Sequence, residues 1–170
     1  MELNELLVEL FSRVTEEVHS AVDGLDAAAL MTPPVEGGNP VGWLVWHLTR
    51  VQDEHMAEIL DEEQLWVTGA WAGRFGVAAD PSNTGYGHSW DEVTSLRPES
   101  AAALIEYYEV VAARTGTFLQ TTTAPDLDRI VDERWNPPVT LGVRLVSIAD
   151  DDIQHAGQAN YVRGIIEHRR

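Results

Sequence analysis

The sequence predicts an all-α fold, a four-helix bundle with one long crossover between its second and third helices. Four stretches carry apolar residues at steps of three and four, the spacing that lines one face of a helix. No region alternates with period two for long enough to make a convincing strand. Roughly 35 residues without clear periodicity, Asp61 to Ser95, separate the second stretch from the third. A length of 170 residues fits a single domain, 1–170.

The first helix is expected from about Leu3 to Val22, with Leu3, Leu6, Leu7, Leu10, Val14, Val18 and Ala21 on one side and Gly24 as the stop. The run Thr32 to Gly38 holds two prolines and two glycines and reads as a loop. After it, Asn39 suits an N-cap and Pro40 the first helical turn, where its missing N–H costs nothing. Val41, Leu44, Val45, Leu48 and Val51 then form a stripe that continues to Ile59. The crossover holds Trp66, Trp71 and Trp90 with five glycines. A connection this long serves function or contains short helices.

The third helix starts near Pro98 and runs through Ala102, Ile105, Tyr108, Ala112 and Leu119, weakened by Gly116. Leu127 to Trp135 has room for a short hairpin. The fourth helix starts at Thr140, a suitable cap just after Pro137-Pro138. It carries Leu141, Leu145, Ile148, Ala159, Val162 and Ile166 almost to the end.

Composition narrows the function. Twenty-eight acidic residues against 11 basic ones give a net charge of −17, which repels phosphate backbones and anionic membranes. The one local basic pair is Arg169-Arg170. No nucleic-acid or membrane partner is expected. The absence of cysteine excludes disulfides, thiolate metal sites and a cysteine nucleophile. The start lacks the basic residues of a signal peptide and no apolar run reaches a membrane span, so a cytoplasmic protein is expected.

Three residues break the apolar stripes. His47 falls three residues after Leu44 and four before Val51, which points it inward. Asp151 and His155 interrupt the fourth stripe between Ile148 and Ala159, an i,i+4 carboxylate–imidazole pair on the buried side. An unpartnered carboxylate is costly to bury. A divalent metal between the two helices would account for all three, with zinc, nickel, iron and manganese suited to two imidazoles and a carboxylate. Three protein ligands would leave positions open, as in catalytic sites. Spacing alone also allows a hydrogen-bonded core histidine beside an ordinary Asp151–His155 pair.

The segment Asn39-Pro40-Val41-Gly42-Trp43-Leu44-Val45-Trp46-His47-Leu48 resembles the second helix of the DinB-like superfamily. Ile153-Gln154-His155-Ala156-Gly157-Gln158-Ala159-Asn160-Tyr161-Val162-Arg163-Gly164 resembles its fourth-helix signature. Within it the chain is most similar to the actinobacterial branch of mycothiol-dependent maleylpyruvate isomerases and mycothiol or bacillithiol transferases. The resemblance implies a metal held by His47, Asp151 and His155. At 151 many members have His and the isomerase branch has Glu. Aspartate is one methylene shorter than that Glu, and Asp152 is the nearby substitute. It also implies a thiol S-transferase or isomerase, in which the metal binds a low-molecular-weight thiol such as mycothiol and a small electrophile is attacked. The aromatic crossover would then wall the pocket.

Other residues have two readings each. His55, two turns after His47, suits an outer-shell base or a partly exposed helix-end histidine. His88, in the glycine-flanked run Asn83 to Trp90, suits a substrate contact or a surface loop. Arg163 suits an anion contact or a salt bridge, as does Arg74. Trp43 and Trp46 read as packing, Gly157 as a close helix contact, and Asp53 and Glu54 as the solvent edge of the second helix. Ser12, Ser147 and Thr49 lack a nucleophile elbow, which sets aside a serine hydrolase. Two other functions compete: a non-haem iron oxygenase, which also uses two histidines and a carboxylate, and a catalytically inactive binding or stress protein. A homodimer is expected from the surplus of aromatics.

Overall fold

A computed structural model describes residues 1–168; the Arg169-Arg170 pair lies outside them. Four long helices form the bundle: α1 (Leu3–Val22), α3 (Val41–Leu60), α7 (Ala101–Thr121) and α8 (Leu141–His168). They pack in a ring, α1 against α7, α7 against α3, α3 against α8 and α8 back against α1. The core runs the length of this ring. Val18, Leu44, Trp46, Leu48, Tyr107 and Val162 fill one end. Phe11, Met56, Ile59, Leu119, Leu145 and Ile148 fill the other. No described helix is long and apolar enough to cross a membrane.

The helix boundaries differ from expectation where capping chemistry competes. Pro40, not Asn39, is the N-cap of α3, with extended backbone at φ −76° and ψ 162°. Ser100 caps α7 by accepting the Ala103 N–H at 3.2 Å, so the helix starts two residues after Pro98-Glu99 rather than at the proline. Thr140 Oγ1 accepts the Val143 N–H at 3.3 Å and opens α8 as expected. Gly116 does not interrupt α7. A one-turn helix not foreseen, α2 (Ala27–Leu30), is capped by Asp26. The hairpin closes later than Trp135: β1 (Ile130–Asp132) pairs antiparallel with β2 (Val139–Thr140).

The crossover is not one open loop. It folds three short helices, α4 (Leu65–Thr68), α5 (Trp71–Arg74) and α6 (Trp90–Ser95), back over α3. This overturns the expected solvent edge on α3. Asp53 is fully buried, and Glu54 is half-buried in the wall of a cavity. Asp53 Oδ1 accepts from Leu65 N at 3.0 Å, and Oδ2 accepts from Trp66 N and Tyr107 Oη, both at 2.8 Å. Arg114 donates to the same carboxylate. Arg50, also fully buried, donates to the carbonyls of Pro81 at 3.0 Å and Asn83 at 3.1 Å and to Gln64 Oε1 at 2.8 Å. Its guanidinium lies 5.0 Å from the Trp66 ring centre. These two residues tie the crossover to α3, beside His47.

Candidate metal centre

The strap that Arg50 holds continues into Thr84 and Gly85, and these two positions set His47. The Thr84 carbonyl accepts from His47 Nδ1–H, which leaves the Nε2 lone pair facing α8. Gly85 has φ +94°, and a Cβ there would stand 2.9 Å from both His47 Nδ1 and Trp46 Cζ3. Only glycine lets the strap come this close. Trp43 stacks on the imidazole, with ring centres 4.8 Å apart. Its Nε1–H donates to His88 Nδ1 at 3.2 Å, so His88 is neutral and its Nε2–H donates to Asn83 Oδ1 at 2.8 Å. His88 therefore fastens the strap from within the cavity wall. Trp43 and Trp46 are buried packing groups, as expected.

The long α8 brings the other two groups to the same point. Asp151 Oδ1 lies 4.0 Å from His47 Nε2 and 3.6 Å from His155 Nε2, and one donor atom from each residue falls within 4.8 Å of the others. These gaps are too wide for hydrogen bonds. They are close to the roughly 3–4 Å that separates donors sharing an ion with bonds of about 2.1 Å. Asp151 Oδ2 is buried with no hydrogen-bond partner among the described residues. His155 Nδ1 is paired with Gln158 Oε1 at 2.8 Å, which turns Nε2 to the centre. Burial lowers the pKa of His47 and raises that of Asp151. The first keeps a neutral ligand available at neutral pH. The second marks a carboxylate whose charge is not yet offset. By donor type, spacing and the orphaned oxygen, the three side chains fit a divalent cation.

Asp152 is not part of this group. It points into the core, fully buried, with neither oxygen hydrogen-bonded. Burial, with the charge of Asp151 beside it, holds its carboxyl well above the ordinary range. The environment favours its neutral form.

The centre opens into a cavity of about 920 Å³ whose wall includes Val51, Glu54, His55, Tyr86, Trp135 and Arg144. His55 lies in the wall, not at a free helix end. Burial, with Arg144 and Arg134 nearby, lowers its pKa to about 4, and Arg144 Nη1 stands 3.4 Å from its Nε2. Arg163 turns away, to Glu167 at 2.9 Å and to the Ser20 carbonyl. Arg74 pairs with Glu99 and Glu106 across α5 and α7. The residues missed from sequence are Arg50, Thr84, Gly85 and Arg144. Arg144 alone left a usable signal, since 144, 147, 151 and 155 continue one helical face.

The profile of the Mycothiol-S-transferase family matches residues 6–168. No curated protein matches. The fold is similar to a solved structure titled as a conserved protein of locus from Enterococcus faecalis. The two share 27% identity over 99% of each chain, with a TM-score of 0.89. The helix order, the DinB-type histidines and a match over nearly the whole length agree: this chain belongs to the mycothiol S-transferase family.

Proposed function

We propose that the protein is a divalent-metal-dependent thiol S-transferase that joins a low-molecular-weight thiol, mycothiol or a close analogue, to a small electrophile. The observation that carries this reading is the convergence of His47, Asp151 and His155 beside a large cavity that His47 and Asp151 line, with one carboxylate oxygen left unpaired among the described residues. When bound there, zinc, nickel or a similar ion would hold the thiol as its thiolate near neutral pH.

The chain's own residues do the rest. Thr84 and Gln158 fix the two imidazoles so that both Nε2 atoms face Asp151. The strap residues and Trp43 keep water from the buried side of His47. The remaining cavity holds the electrophile against the reacting sulfur, where proximity replaces a bimolecular encounter. No protein cysteine competes as a nucleophile.

The test is turnover of mycothiol with a bimane electrophile by protein purified without a metal-affinity tag. Wild type is expected to accelerate the reaction, and His155→Ala to lose both metal and activity. A His155→Ala protein with full activity contradicts the proposal. Exposed Val143, Val146, Ile153 and Tyr161 on α8 support a homodimer through that helix. Light scattering at about twice the 18.8 kDa chain mass would agree with it, and a monomer would refute it.

A further inference from the structure

Among the charged groups in the cavity wall, Glu54 stands without a partner. It follows His47 by seven residues on α3, which places it on the same face about 10 Å along the axis. Its carboxylate is half-buried and makes no hydrogen bond or ion pair among the described residues. Burial raises its pKa, the mark of an anion short of compensation.

The nearby arginines are committed elsewhere. Arg144 reaches Asp132 at 2.7 Å, Arg134 reaches Asp132 and Glu58 at 2.8 Å each, and Arg50 belongs to Asp53. The other wall acids outside the metal centre have their own donors. Asp80 accepts from Ser82, and Glu92 accepts from Ser89. The histidines add no charge: His88 is fixed as a neutral tautomer, and His55 is neutral above about pH 4. A net charge of −17 biases the whole surface the same way.

Two aromatic rings complete the pattern. Tyr86 on the strap is 92% exposed and Trp135 in the hairpin is 65% exposed, and both line this cavity. Exposed aromatic rings in the same cavity wall as an unpaired carboxylate are the chemistry that holds an organic cation. A carboxylate-bearing electrophile would be repelled there, and a neutral hydroxyl would leave the Glu54 charge unbalanced.

We propose that the electrophile carries a positive charge, an ammonium or quaternary ammonium group, seated against Glu54 with Tyr86 and Trp135 as its aromatic walls. Glu54 is then the specificity-determining residue for that end of the substrate. The proposal rests on the thiol-transferase reading of this cavity, and its test separates the two.

Monobromobimane and its trimethylammonium-bearing analogue present the same reacting carbon with and without a cation. Their kcat/KM values with mycothiol are compared for wild type and Glu54→Gln. In parallel, choline and its neutral isostere 3,3-dimethylbutan-1-ol are titrated by NMR, a readout independent of turnover. Wild type is expected to favour the cationic member of each pair about tenfold, and Glu54→Gln to bring both ratios close to one. Ratios near one in wild type, or a preference that survives Glu54→Gln, overturn the proposal. Turnover of both bimanes without a cation preference leaves the transferase reading standing and removes this one. Glu54-dependent choline binding with no turnover of either bimane keeps the cation site at Glu54 and removes the transferase reading, and with it the assignment of that cation to the electrophile.

Discussion

Asp53 on α3 and Asp151 on α8 are both carboxylates withdrawn from water, yet their surroundings are opposite. Asp53 is met by two backbone amides, a tyrosine hydroxyl and two guanidinium groups, so each of its oxygens is satisfied by the protein itself. Asp151 has two imidazoles nearby but beyond hydrogen-bonding distance, and one oxygen with no hydrogen-bond partner among the described residues. The first is a completed structural joint that pins the crossover to α3. The second is an incomplete set of donors that a cation would complete. Burial of an acid is therefore not evidence of function; unmet hydrogen-bonding capacity beside other ligand-type side chains, which Asp151 has and the core residue Asp152 lacks, is.

Substitutions that treat the two aspartates alike should give unlike results. Asp53→Asn leaves the buried Arg50 and Arg114 charges without their counterion. It is expected to cost about 3–5 kcal/mol in urea unfolding, and a loss under 1 kcal/mol would show that the joint is not structural.

Asp151→Asn is expected to weaken zinc binding by about 100-fold, or about 2.7 kcal/mol, in calorimetric titration. Metal-free stability at pH 7 should hold or rise, because burial raises the Asp151 pKa and the native state bears the cost of the ionised form above the unfolded value. A fall in metal-free stability comparable to that of Asp53→Asn would erase the contrast.

Gly85→Ala probes the strap that links the two regions. Its Cβ would press on His47 Nδ1 from a backbone at φ +94°, so zinc affinity should drop about tenfold while the fold persists. Unchanged affinity would mean that the Thr84 carbonyl does not orient the ring.

The smallest effect is expected at Asp152. Burial favours its neutral carboxyl, which an amide matches in size and charge, so Asp152→Asn should change stability by less than about 1 kcal/mol at pH 7. A large loss there would reveal a hidden partner of the kind Asp53 has.

The sequence was informative where one helix face decides the outcome. The inward direction of His47, Asp151 and His155 follows from interrupted stripes on α3 and α8, and each stripe is a local property of one element. The same logic failed at Asp53 and Glu54. Whether that side of α3 meets water depends on where the crossover folds, and apart from Arg50 the partners of Asp53 lie 12 to 61 residues away. Arg50 was invisible for the same reason, since an arginine inside a stripe acquires meaning only when the Pro81 and Asn83 carbonyls arrive. His55 shows a third case. Its helix position was legible, but its depressed pKa comes first from burial and then from the charges of Arg144 and Arg134, which reach it from distant parts of the chain.

The most direct measurement is the metal content of tag-free protein after chelator treatment and titration with zinc. One ion per chain, with cobalt in its place giving a spectrum that His47→Ala, Asp151→Asn and His155→Ala each abolish, is the result predicted. Stoichiometric zinc retained in those variants, or none taken up by wild type, would contradict it.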